Sequence, residues 1–158
     1  MAFPLLLLIP AGLAVPFALA GHGLGTLGRV GLRGADRRTW IRGGATLLGG
    51  VAAALYTWGL LLIALAVRDA DDGGTGSSPL RPCRTPGQWE RALTVVDHTV
   101  DYVPLRFVCE TKDGGRYAAE SVPGYVNPAV LGFAPAAVGC AAAAALVPKD
   151  RPERDPAV

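Results

Sequence analysis

Three cysteines and two histidines are the side chains of this 158-residue chain best suited to chemistry. Cys83 and Cys109 fall in one hydrophilic segment, where a pair suits a disulfide in an oxidising compartment. Two free thiols, or half of a metal site, are the alternatives. Closing the segment between them would stabilise a fold by about 3.5 kcal/mol on the chain-entropy model. Cys140 sits inside an apolar stretch, where a thiol behaves as a small apolar residue. His98 stands between Asp97 and Thr99 with Asp101 near, a grouping that could hold a metal or move a proton. A metal needs three or four converging ligands, however, and the other histidine, His22, belongs to a distant segment. His98 therefore reads as a surface side chain. The acids of residues 69–73 lack the alternate spacing and distal Glu of a calcium loop. Gly23-Leu24-Gly25-Thr26-Leu27-Gly28 matches G-x-G-x-x-G, but it follows an apolar stretch rather than a strand. No nucleophile elbow, His-Glu-x-x-His, Cys-x-x-Cys or P-loop occurs. No catalytic, cofactor-binding or metal residue is assigned, and neither enzymatic activity nor a cofactor is expected.

The elements that would carry these residues are mostly apolar helices. The chain is 51% hydrophobic and 18% charged, against about 25% charge in soluble domains. A net charge of +2 excludes a basic nucleic-acid binder, so no nucleic acid is expected as a partner. The charges avoid residues 3–20, 45–67 and 126–147, each close to the roughly 20 residues that a membrane span requires. The first stretch carries Pro4, Pro10 and Pro16, which predicts a kinked helix over residues 1–21. Ala18-Leu19-Ala20 has the form of a signal-peptide cleavage site. No positive charge precedes it and an Arg-rich segment follows, so it is read as a retained span.

Residues 22–44 form the Arg-rich connection, with Arg29, Arg33, Arg37, Arg38 and Arg42 against a single acid, Asp36. Basic short loops stay in the cytoplasm, which places the N-terminus outside and the tail of residues 148–158 inside. The cysteine-bearing connection is then extracytoplasmic, where a disulfide persists. The five arginines act as a topology signal and a site for anionic lipid headgroups; docking of a cytoplasmic partner is the alternative.

The outer connection divides into a Gly/Ser/Asp linker over 68–79 and a small domain over 80–125. Thr85-Pro86-Gly87-Gln88 resembles a capping box. Trp89, Leu93, Val96 and Val100 then recur at helical spacing, although the β-branched run Thr94-Val95-Val96 competes with a long helix. Residues 105–111 and 116–121, joined by Lys112-Asp113-Gly114-Gly115, carry a hairpin signature. The predicted core is Trp89, Leu93, Val96, Val100, Phe107 and Tyr117, stapled by Cys83–Cys109. Asn127 is expected to cap the third span, with Pro128 in its first turn. The fold class is therefore a mainly α membrane protein: three transmembrane helices with a disulfide-stapled α+β domain between helices 2 and 3.

The string Cys83…Trp89-Glu90-Arg91…Pro104-Leu105-Arg106-Phe107-Val108-Cys109…Asp113-Gly114-Gly115-Arg116-Tyr117…Val122-Pro123-Gly124-Tyr125-Val126-Asn127-Pro128 resembles small uncharacterised membrane proteins of actinobacteria. Thirteen Arg against two Lys fits a GC-rich genome. The resemblance covers residues 80–130 and implies a bacterial plasma membrane. It carries no activity.

Small residues recur every four within the spans: Ala45, Gly49, Ala53 and Thr57 in the second, Gly132, Ala136, Cys140 and Ala144 in the third. Such stripes let helix backbones approach in lipid. They predict packing of the two spans on each other; contact with another membrane protein or a second copy is the alternative. With no ionisable group in the apolar stretches, a transporter is disfavoured. A non-enzymatic accessory or interaction subunit is the expected function, and a subunit of an oligomeric pore or transport complex is the alternative.

Overall fold

The structure, a computed structural model, describes residues 3–30, 36–72 and 79–148. Three helices in it are long and apolar enough to cross a membrane: α1 (Phe3–Val30), α2 (Arg37–Asp71) and α4 (Val126–Leu146). A one-turn helix, α3 (Trp89–Ala92), and a three-stranded antiparallel sheet separate α2 from α4. The strands, in the order β1-β2-β3, are β1 (Val95–Tyr102), β2 (Leu105–Thr111) and β3 (Arg116–Ala119).

α2 is the central helix, and α1 and α4 each pack along it. Asp36 caps its N-terminus, accepting the Thr39 backbone N–H and hydroxyl. The helices on either side of the first connection run further into it than the sequence suggests, and α2 runs to Asp71, into the expected 68–79 linker. The glycines of residues 21–28 continue α1 as far as Val30 instead of opening a loop, and α2 begins at Arg37. The reason lies in packing. Gly23 is buried, and a Cβ there would lie 2.5 Å from Thr46 Oγ1, so close interhelical contact outweighs glycine's low helix propensity. Residues 22–30 and 37–44 of the expected loop are thus helical, and so is the G-x-G-x-x-G pattern.

The expected short helix is a single turn, and a strand follows it. β1 takes the Val96 and Val100 end of the helical-spacing pattern, where the β-branched run competes with helix, because Val95, Thr99 and Val100 are β-branched and pair in register with β2. Thr85-Pro86-Gly87-Gln88 is a turn rather than a capping box: Gln88 N–H donates to the Thr85 carbonyl, and Gly87 has φ +79°. The β2–β3 hairpin follows its predicted turn, with Gly114 at φ +81°. Trp89, Leu93 and Val96 are exposed, at 55%, 54% and 64%, which removes them from the core. Phe107 and Tyr117 are buried, and Val100 packs against the cluster they join.

That cluster does not belong to the sheet alone. Leu60, Ile63, Ala66, Val67 and Ala70 of α2, together with Leu5 of α1, share one core with Leu105, Phe107, Cys109 and Tyr117. The sheet lies directly on the helices. Its inward face is set by strand alternation: Tyr102↔Leu105, Val100↔Phe107 and His98↔Cys109 all point to the same side.

Candidate functional site

Cys83 and Cys109 are joined in a disulfide with Cα atoms 6.1 Å apart and both residues fully buried. The bridge ties the 3-10 turn Arg81–Cys83 to the middle of β2. The Tyr117 hydroxyl donates to the Cys83 carbonyl at 2.8 Å, which fixes that turn from the third strand as well. Burial pushes the Tyr117 phenol above its ordinary pKa of 10.0, while the Arg91 guanidinium, 5.6 Å over the ring, opposes the shift. At the hairpin turn, a hydrogen bond from the Thr111 hydroxyl holds the Asp113 carboxyl below its usual 3.8.

His98 is half-buried and stacks flat on Phe107, with ring centroids 5.1 Å apart. Asp97 Oδ1 accepts the His98 backbone N–H, and Glu110 pairs with Arg116 at 3.3 Å. Among the described residues, no three of His, Cys, Asp and Glu come close enough to share a metal. A cavity of about 390 Å³ lies beneath β1, between His98, Tyr102 and Val67 and near Pro4 of α1. A second, apolar cavity of about 470 Å³ opens between α1 and α2 beside Pro16, Phe17, Val51 and Trp58.

The two small-residue stripes fare differently. On α2, Ala45 and Thr57 are buried and Gly49 and Ala53 half-buried. A Cβ on Gly49 would meet Leu19 of α1 at 3.6 Å and Ala137 of α4 at 3.7 Å, so this position touches both neighbours. On α4, Cys140 is half-buried and Ala144 buried, but Gly132 and Ala136 are exposed and a Cβ on Gly132 would meet nothing within 4 Å. The α4 contacts with α2 run through Ala137 and Ala144, with Cys140 half-buried between them. A strict spacing of four advances by about 40° per step on a helix of 3.6 residues per turn, so such a stripe drifts off a straight interface.

Of the arginines, Arg38 donates from Nε to the Ala144 carbonyl at 3.1 Å, satisfying an orphan acceptor at the end of α4. Arg37 and Arg42 are exposed. Arg33 and the side chain of Arg29 lie outside the described residues.

Two contacts that the sequence reading missed position the sheet. Asn127 does not cap α4; its side chain accepts the Leu105 N–H at 2.9 Å and donates to the Leu105 carbonyl at 3.1 Å. The Tyr56 hydroxyl donates to the Tyr102 carbonyl at 3.1 Å. Both lock the β1–β2 turn, whose Val103–Pro104 peptide is cis, to the helices. No local signal marks either contact, since the partners are 22 and 46 residues apart. Comparison with known protein families, curated proteins and solved structures finds no match.

Proposed function

We infer that this chain is a multi-pass accessory subunit of a bacterial plasma membrane, presenting a rigid sheet domain to another membrane protein without catalysing a reaction. The observation that carries this reading is the exposure of Trp89, Leu93 and Val96 on a domain whose other large apolar side chains, Val103 and Tyr125 apart, are buried or half-buried. Trp89 and Leu93 lie one turn apart, with the Leu93 N–H bonded to the Trp89 carbonyl, so they belong to one side of the domain. Aromatic side chains of this kind anchor protein interfaces. The shared core supports the same reading, because a partner bound to the sheet would be held in fixed relation to the helices. A disulfide persists in oxidising compartments, which favours a sheet domain outside the cell, with the C-terminus cytoplasmic. The resemblance to actinobacterial membrane proteins supplies the bacterial setting.

A photo-crosslinking residue at Trp89, used in native membranes, tests the proposal. A heterologous membrane protein should be captured, and Leu93→Asp should abolish capture while the disulfide and thermal stability stay unchanged. Capture of copies of this chain alone, with ion flux from the purified protein in liposomes, would replace the reading with an oligomeric pore.

A further inference from the structure

α2 is too long for its surroundings. Its 35 residues extend about 52 Å at 1.5 Å each, against a hydrocarbon core of about 30 Å. α4, with 21 residues, spans about 31 Å and matches that thickness. The packing of α4 on α2 therefore shows which part of α2 shares its depth. Val126 would be 3.2 Å from a Cβ on Gly59, Ala137 lies at Gly49, and the Ala144 carbonyl takes Arg38. α4 thus runs antiparallel beside residues 38–59. The remainder of α2 packs one face, with Leu60 and Ile63 wholly buried, against the sheet, while Leu65 on another face is exposed.

The β1–β2 turn marks the same level. Tyr102 and Leu105 are bonded to Tyr56 and Asn127, and Leu105 Cδ2 sits 2.5 Å from the position of a Gly59 Cβ. Between them Val103 is 84% exposed and Pro104 is exposed. Asp101 and Arg106, paired across the strands, are exposed immediately behind this apolar tip. Tyr125, 59% exposed, precedes α4 at that depth. At the other end stand Arg37, Arg38, Arg42 and Trp40, suited to the opposite headgroup layer.

We propose that the β1–β2 turn is a lipid-contacting tip: Val103 and Pro104 seat in the headgroup region together with Tyr125, and the hydrocarbon covers α2 from about Arg42, whose long side chain reaches back to the opposite headgroups, to Gly59. The most apolar run of the sequence, 45–67, is then only partly in lipid, and its end is a protein core. Asp101 and Arg106 set the limit of immersion, because ionised side chains stay out of hydrocarbon. On α1, Gly12 faces Thr57 and Gly23 faces Thr46, so Leu5 lies beside the sheet and the exposed Leu6 and Leu7 run on from the hydrocarbon into the headgroup layer on the side of the tip.

Single cysteines at Val103, Lys112 and Leu131, each in a Cys140→Ala background that keeps the Cys83–Cys109 disulfide, carry an NBD label for the test. The full chain is reconstituted in phosphatidylcholine–phosphatidylglycerol vesicles containing lipids doxylated at carbon 5 or carbon 12. The label at 103 should be quenched at least twofold more by the 5-doxyl than by the 12-doxyl lipid and be shielded from aqueous iodide. The label at 112, in the other turn, should respond to iodide alone, and the label at 131, on the exposed face of α4, to the 12-doxyl lipid. Iodide quenching at 103 equal to that at 112 would overturn the proposal by placing the tip in water. Stronger quenching of 103 by the 12-doxyl lipid would overturn it by placing the slab over 45–67. Neither result depends on whether a partner binds Trp89.

Discussion

Asn127→Ala removes the one side chain that holds both backbone groups of Leu105 to α4, and its cost follows from the geometry. Two neutral hydrogen bonds, at 2.9 and 3.1 Å, are lost. Each contributes about 0.5–1.5 kcal/mol, so the variant should lose about 1–3 kcal/mol. The upper part of that range applies if the Leu105 N–H and carbonyl find no water, which is favoured by Leu105 being 1% exposed. Asn127→Asp separates the two bonds. It keeps an acceptor for the Leu105 N–H but replaces the donor with an ionised oxygen facing the Leu105 carbonyl, so it should be at least as damaging. Denaturant titration of the protein in mild detergent gives the stability change. Hydrogen exchange at the Leu105 amide gives the local one, and protection there should fall about 5-fold or more in Asn127→Ala. A change below 0.5 kcal/mol with Leu105 protection intact would refute the reasoning, showing that Gly59 and Tyr56 suffice to dock the turn.

Three further outcomes are expected. Cys83→Ala with Cys109→Ala should destabilise the sheet domain by about 3.5 kcal/mol, read as a lower unfolding midpoint that reductant reproduces in the parent protein. Gly12→Leu and Gly49→Leu should loosen the helix bundle, since a Cβ at Gly12 already lies 2.5 Å from Thr57 Oγ1, whereas Ala136→Leu should be silent; thiol cross-linking between α1 and α2 distinguishes them. The raised Tyr117 pKa makes the neutral phenol a stabilising form: its contribution is complete below about pH 10 and is lost as pH rises through the higher folded value. Tyr117→Phe should remove that alkaline loss, measured as stability against pH from 8 to 12, at the cost of about 1 kcal/mol at neutral pH from the lost bond to Cys83.

Hydropathy alone revealed the three helices, and turn chemistry alone revealed the β2–β3 hairpin, because both signals are local. β1 was obscured by coincidence: Trp89, Leu93, Val96 and Val100 satisfy a helical period, yet only Val100 of the four ends against the core. The period is diagnostic only when one element spans the whole pattern, and here a one-turn helix and a strand divide it. The same limit applied to the glycines of residues 21–28, whose loop-like composition hides a helix that needs Gly23 for contact with Thr46. Asn127 reads locally as a cap before a proline; its actual partner is chosen by a fold that no short window contains. The disulfide was legible in outline, since two cysteines shared one hydrophilic segment.

The contacts between α1 and α2 have a mechanical consequence. Gly12 meets Thr57 and Gly23 meets Thr46, and each pair is separated from the other by eleven residues on both helices, or three turns. Both threonine hydroxyls are already bonded to their own helix, at the Ala53 and Gly43 carbonyls, and so stand as fixed studs. Sliding α1 by one turn in either direction would bring Leu8 or Pro16 onto Thr57 and Leu19 or Leu27 onto Thr46, and none of these side chains fits where glycine does. The pair behaves like a keyed joint with one seating. Axial sliding of α1 along α2 is thus opposed at two places at once, whereas a change in the angle between the helices meets no such stop at these glycines.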